Sequence, residues 1–226
     1  MRHIFVDFEM HPISKEYTEE KINCQNEIIE FGAVMLDEEY NEISSFKKYV
    51  KPQYVREICE RIVVLTGITA PMLSGAEHFC DAFQEFMLWC DSADDDYIVY
   101  AWSESDLEQL TKEMRLKKLI QNERVKRLLD NWVDFQKEYT ELVESKHKLS
   151  LLKALDAVGQ IYMGNVHDAL CDARNTAQLF VISRNTDELF KRLKAVHSTI
   201  GDARRGISTF SLGEIFNFDA CGYALA

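Results

Sequence analysis

The stretch FVDFEM near the start of the chain sets two carboxylates, Asp7 and Glu9, inside an apolar run. Side chains alternate faces along a strand, so residues two apart share one. Acids on a common face can share a cation, and buried charge needs compensation of that kind because desolvation is costly. A sheet face that opens to water at the strand end would accommodate them equally. Asp106 lies just past the β-rich run DYIVYAW, in the first turn of a predicted helix. The helix macrodipole favours Asp there, yet strand-to-helix junctions are also where α/β sheets gather their chemistry. His167 and Asp172 complete the set, in NVHDALCDARNTAQL. Were both helical, their five-residue step would put them about 140° apart. With Asp168 as a helix N-cap, His167 instead lies in the preceding loop, free to turn, and Asp172 faces inward one turn later.

The elements that must position these groups follow from periodicity. Residues 2 to 8 alternate, with Ile4, Val6 and Phe8 on one face and His3, Phe5, Asp7 and Glu9 on the other, and read as a first strand. Residues 11 to 25 are polar and read as loop. EIIEFGAVMLD and EISSFKKYVKP read as two further strands around the acidic turn DEEYN, an antiparallel start to a sheet. Residues 53 to 74 look helical until LTGIT, where Gly67 and Pro71 mark a loop. GAEHFCDAFQEFMLWCD places Phe79, Phe83, Phe86 and Met87 at helical spacing. DYIVYAW then SESDLEQLTKEMR form a strand-then-helix unit, with Ser105 and Glu108 spaced as a capping box. Residues 116 to 147 are charged and resist assignment, although WVDFQKEY could hold a strand. KLSLLKALDAVGQ and HDALCDARNTAQLFVISRN read as helices, and TDELFKRLKAVHS as one more.

The chain has 226 residues, 46% of them hydrophobic, enough for one sizeable core. Its net charge of -12 argues against a broad basic surface that coats nucleic acid. A polyanion would have to be gripped locally, by metals, backbone amides and a few cations. The six cysteines, at 24, 59, 80, 90, 171 and 221, show no zinc-ligand spacing and read as free thiols. Neither a secretory signal nor a membrane span is evident, so the cytoplasm is the expected location and no membrane partner is expected.

An acidic pair on a first strand, an Asp after a middle strand and H-x4-D further on resemble the DEDDh 3′-to-5′ exonucleases. That family includes RNase T, oligoribonuclease and the proofreading exonuclease of DNA polymerase III. The matching residues are Asp7 and Glu9 in VDFEM, Asp106 in WSESD, and His167 with Asp172 in HDALCDA; EIIEFGAVML and LTGIT are similar to the family's second strand and substrate loop. The resemblance covers about residues 3 to 183, and WSESDL with the Met after the second acid is closer to the Eri-type, or sporulation-inhibitor-like, branch. It implies a ribonuclease H-like α/β fold, a central mixed five-stranded sheet flanked by helices. Residues 1–184 would be the exonuclease domain and 185–226 a C-terminal helix and tail packed on it.

The resemblance also implies two divalent ions, which activate water and relieve charge on the attacking and leaving oxygens. Asp7, Glu9, Asp106 and Asp172 would hold them, and hard carboxylates suit Mg²⁺ or Mn²⁺ rather than zinc. His167 would be the general base, a task suited to an imidazole, whose ordinary pKa of about 6.5 lies near operating pH. By the same resemblance the backbone around Phe8, Glu9 and Met10 would read the 3′-terminal sugar, and the loop with Leu65 and Thr66 would pack on the last base. The expected substrate is the 3′ end of single-stranded or short nucleic acid, RNA ahead of DNA. The alternative is a regulatory protein that keeps the exonuclease fold and acts through protein contacts, for example in sporulation control. The aromatic tail, with Phe210, Phe216, Phe218 and Tyr223, could pack back on the domain, join a homodimer or meet a protein partner.

Overall fold

The first strand, β1 (Arg2–Pro12), is buried or half-buried at every residue but Pro12 because it lies inside the sheet. The computed structural model describes residues 1–92 and 96–203, with the helix backbone alone for 196–203. After β1 come α1 (Thr18–Asn23), β2 (Asn26–Leu36), β3 (Glu42–Lys51), α2 (Glu60–Thr66), α3 (Ala70–Ser74), β4 (Glu77–His78) and α4 (Phe79–Cys90). β5 (Tyr97–Ala101), α5 (Glu104–Leu116), α6 (Glu123–Asp130), β6 (Trp132–Asp134), α7 (Phe135–Leu142), α8 (Leu151–Ala157), α9 (Ala169–Arg184) and α10 (Thr186–Ala203) follow. The sheet order is β4-β3-β2-β1-β5-β6. β2 is antiparallel to both β1 and β3, as three strands in succession predict, whereas β5 runs parallel to β1 and β6 parallel to β5. The mixed α/β sheet therefore has six strands rather than five. The extra one, β4, is a two-residue edge pairing with Val50 and Lys51, too short to leave a period in the sequence.

Each sheet face carries a core. Ile4, Val6 and Phe8 pack with Phe79, Phe83, Phe86 and Met87 of α4 and with Leu110 and Met114 of α5. Phe5, Val34 and Tyr100 pack on the other face with α7, α8 and α9, among them Phe135, Leu155 and Phe180. Each such side chain contributes about 1.5–3 kcal/mol relative to exposure. Leu189 and Leu193 of α10 are buried in this second core, while residues 204–226, with the aromatic tail, lie outside the described residues.

Several local expectations are corrected. β1 continues to Pro12, and α1 forms with no buried residue within the stretch read as loop. Residues 53–59 are not helical, because the amides of Gln53 and Tyr54 donate to buried Glu27 Oε1 and Oε2, at 2.9 and 2.6 Å. The helix begins only at Glu60 and stops at Gly67, whose φ of 74° is left-handed. Ser103, not Ser105, caps α5, and Glu108 pairs with Lys112 at 2.8 Å instead of closing a capping box. Two helices, α6 and α7, occupy the unassigned charged stretch on either side of β6. The described cysteines are free thiols, and no helix among the described residues is long and apolar enough to cross a membrane.

Candidate active site

Asp7 and Glu9 project from the middle and the second half of β1, on the face opposite Phe8. Glu9 pairs with Glu30 of β2, and the register then shifts at a bulge before Met10. β5 ends beside Val6, so the helix that follows it, α5, starts next to the acids. Asp106 in its first turn accepts from the amide of Phe8 at 3.2 Å. Further along α5, Glu113 Oε2 accepts from Ile28 N at 2.7 Å and Lys117 pairs with Glu27, which ties the helix to β2. Burial, aided by the charge of Glu27, pushes the Glu113 carboxyl up to about 8 against the hydrogen bond from Ile28 N.

The remaining groups come from the start of α9. Asp168 is its N-cap, accepting from Cys171 N at 3.1 Å, as its sequence position predicts. Asp172 faces inward, with Oδ1 accepting from the Tyr162 hydroxyl and Oδ2 from His167 N, both at 3.0 Å. His167 sits in the preceding loop at φ 63°, a conformation uncommon outside glycine. Donor atoms of Glu9, His167 and Asp172 lie within 4.8 Å of one another, close enough to hold one cation. Asn175, fully buried, holds the loop to the helix by accepting from Met163 N at 2.9 Å and donating to Met163 O and Cys171 O at 2.8 Å.

α9 reaches the acids because Gly32, opposite Asp7, leaves room for its backbone. A Cβ at Gly32 would stand 2.1 Å from Ala169 C and 2.2 Å from Leu170 N, so nothing but glycine fits. Gly32→Ala is expected to lift the first turn of α9 off the sheet, costing about 1–3 kcal/mol as overpacking does and displacing His167 and Asp172. Thermal unfolding checks this, and an unchanged melting temperature would show that the helix has room to move.

The charges are poorly compensated. Burial first, then the charges of Asp106, Asp172, Glu9 and Glu30, hold the Asp7 carboxyl well above the ordinary range. Burial and the surrounding acids push Glu9 up to about 9. Asp106 rises to about 7, chiefly from burial, against the Phe8 amide that favours its charged form. Such a crowd of carboxyls fits divalent cations, whose charge would replace the missing compensation.

The structure thus brings Asp7, Glu9, Asp106, His167 and Asp172 together. Leu65 meets His167: with Glu60, Arg61, Val64 and Val166 the two line an open groove of about 550 Å³. Thr66 turns inward, its hydroxyl donating to Ile62 O at 2.8 Å and accepting from Ile68 N at 3.0 Å. The Phe8 ring is core, packed on Phe31 and Phe86, and its amide is engaged by Asp106. Met10 packs at the edge of the same core. Sequence reading passed over Glu30, Lys47 and Tyr162. Glu30 did leave a signal, a charge in the apolar run EIIEFGAVML like the one in FVDFEM.

Residues 4–180 match the RNase T family of exonucleases, a group that uses divalent metal ions. The chain is 28% identical over 165 residues to 3′-5′ exoribonuclease 1 of Mus musculus, covering 69% of this chain and 46% of that one. It is 31% identical over 196 residues to ERI1 exoribonuclease 2 of Danio rerio, covering 78% and 34% respectively. The chain therefore spans less than half the length of these curated relatives. In fold it is similar to the nuclease domain of 3′hExo, a DEDDh family member, bound to rAMP, with a TM-score of 0.67 at 23% identity over 80% of this chain and 90% of that one. Sequence match, sheet order and the gathering of four acids with a histidine agree, and the chain belongs to the RNase T exonuclease family.

Proposed function

We propose that this protein is a 3′-to-5′ exonuclease that uses two divalent ions, Mg²⁺ or Mn²⁺, to hydrolyse single-stranded or short nucleic acid, RNA ahead of DNA. The observation that carries this is the meeting of Asp7, Glu9, Asp106 and Asp172 with His167, which also lines a groove with Leu65. The preference for RNA rests on the relatives, two of them exoribonucleases by name and one a nuclease domain bound to rAMP.

Asp7, Glu9, Asp106 and Asp172 would hold the ions, which when bound relieve charge on the attacking and leaving oxygens of the phosphodiester. His167, exposed and on a loop, takes the proton of the attacking water at a ring nitrogen. The bond from phosphorus to the 3′ oxygen of the penultimate nucleotide breaks, releasing a nucleoside 5′-monophosphate. Tyr162 keeps Asp172 from rotating away by its hydrogen bond to Oδ1. Leu65, 43% exposed, offers an apolar face on which a terminal base can lie without regard to its identity.

The test is digestion of matched 5′-labelled single strands and duplexes of RNA and DNA with Mg²⁺ or Mn²⁺. The expected result is a ladder shortening from the 3′ end, fastest on single-stranded RNA. No shortening with either ion, or removal of nucleotides from the 5′ end, would overturn the assignment.

A further inference from the structure

Lys47 and Glu30 belong to none of the groups placed against substrate or cation, yet both converge on the first turn of α9. Glu30, 1% exposed, accepts from Ala169 N at 3.0 Å through Oε2, and its Oε1 lies 3.1 Å from Lys47 Nζ. Lys47 stands on β3 opposite Gly32 and also pairs with Asp168 Oδ2. Asp168 Oδ1 accepts from Cys171 N at 3.1 Å. Two carboxylates thus grip two amides of one helix terminus, and a single ammonium ties the carboxylates together.

Capping does not require this much, since Asp168 alone would serve as N-cap. Net stability is a weak reason too, because the desolvation of a buried ion pair offsets most of its attraction. What the arrangement adds is placement. The residue just before Asp168 is His167, whose backbone at φ 63° is held only where its surroundings enforce it. Its amide is already fixed on Asp172 Oδ2 at 3.0 Å, so the position of its ring follows that of the first turn of α9.

We propose that Lys47, by bridging Glu30 and Asp168, is a positioning residue that clamps the first turn of α9 onto β2 and β3 and thereby sets His167 over Glu9 and Asp172. The clamp rests on the reading of His167 as proton acceptor. A mere counterion to the acids would act on cation binding, whereas a clamp acts on His167.

Lys47→Met and Lys47→Arg, each with and without His167→Ala, separate these in the full chain. Lys47→Met should lower kcat on an RNA oligonucleotide at least about tenfold with KM little changed, the scale of one charge-assisted hydrogen bond. Lys47→Arg should restore most of it. Lys47→Met added to His167→Ala should slow turnover no further, because a residue acting only through another contributes nothing once that one is gone. Mg²⁺ affinity, read from thermal-shift titration, should fall far less than kcat, because the Tyr162 hydroxyl holds Asp172 independently of the clamp. Independently of turnover, amide exchange at Ala169 and Cys171 of the metal-free Lys47→Met protein should rise at least about tenfold, with β1 unchanged. If Lys47→Met alone does not fold, Glu30→Gln with Lys47→Met removes both charges together and should show the same faster exchange. Unchanged exchange, or losses that multiply in the double variant, overturn the clamp. A wild-type protein that cleaves no oligonucleotide would overturn the exonuclease reading, and the exchange measurement would still decide whether Lys47 fixes α9.

Discussion

Replacing Asp7 by Asn is expected to abolish nuclease activity while raising the melting temperature of the metal-free protein. Asp7 is where the site's repulsion converges: it is desolvated, and the charges of Asp106, Asp172, Glu9 and Glu30 all bear on it. No cation among the described protein groups appears among the influences on it. The amide of Asn keeps the volume and removes the ionisable group, so the folded state loses a strain that the unfolded chain never carried. For a chain of this length each kcal/mol relieved appears as a rise of about 2–4 °C. Losing one anionic ligand should remove several kcal/mol of transition-state stabilisation, about 10³-fold or more in rate. It should also remove the thermal shift produced by Mg²⁺. Oligonucleotide digestion and thermal unfolding of the same preparation check both halves. A fall in melting temperature would make Asp7 a structural residue, and activity within about tenfold of the parent would remove it from the site.

What was legible in the sequence and what was not divides along range. β1, β2 and β5 could be read because alternation or an apolar run shows within a few residues, and α4 because Phe79, Phe83 and Phe86 repeat at the helical period. Asp168 revealed the start of α9 because an N-cap is a local device. α6 and α7 were hidden: each turns two buried side chains inward, Val125 and Leu128 in one, Phe135 and Tyr139 in the other, among charged neighbours. Residues 53–59 look helical, but their backbone is claimed by Glu27, a partner no local window contains.

The site divides the same way. Asp7, Glu9, Asp106, His167 and Asp172 stood out by type and spacing, and as a set they matched a known pattern. Glu30 stood in an equally apolar run, but its meaning depends on facing Glu9, which is fixed only by register across the bulge. Lys47 matters because β3 registers it against Gly32, where the backbone of α9 comes closest to the sheet at Ala169 and Leu170. Phe8 enters the site through its backbone alone. Its motif position is right, yet alternation sends its ring into the core, and its amide serves Asp106.

Cation binding should strengthen steeply with pH. Burial and neighbouring acids set Glu9 at about 9 and Asp106 at about 7, with Asp7 well above its ordinary range, whereas all three titrate near 4 in the unfolded chain. Between those limits the folded protein keeps protons that the unfolded chain gives up. Its metal-free stability therefore falls as pH rises toward these values. A divalent ion must displace the same protons, so its affinity rises over the same window. With Glu9 and Asp106 both protonated at about pH 6, affinity should gain at least about 10²-fold by about pH 8. At a fixed saturating Mg²⁺ concentration that gain adds about 2.7 kcal/mol to the stabilisation by ligand, or about 5–10 °C in the metal-induced rise in melting temperature. The two curves should diverge, the metal-free one descending and the metal-loaded one holding. Equal shifts at both values would mean that these carboxyls are already ionised without metal, and that some other group in the fold supplies the compensating charge. The Asp7→Asn protein should show a much reduced divergence, since the proton and the ligand are lost together.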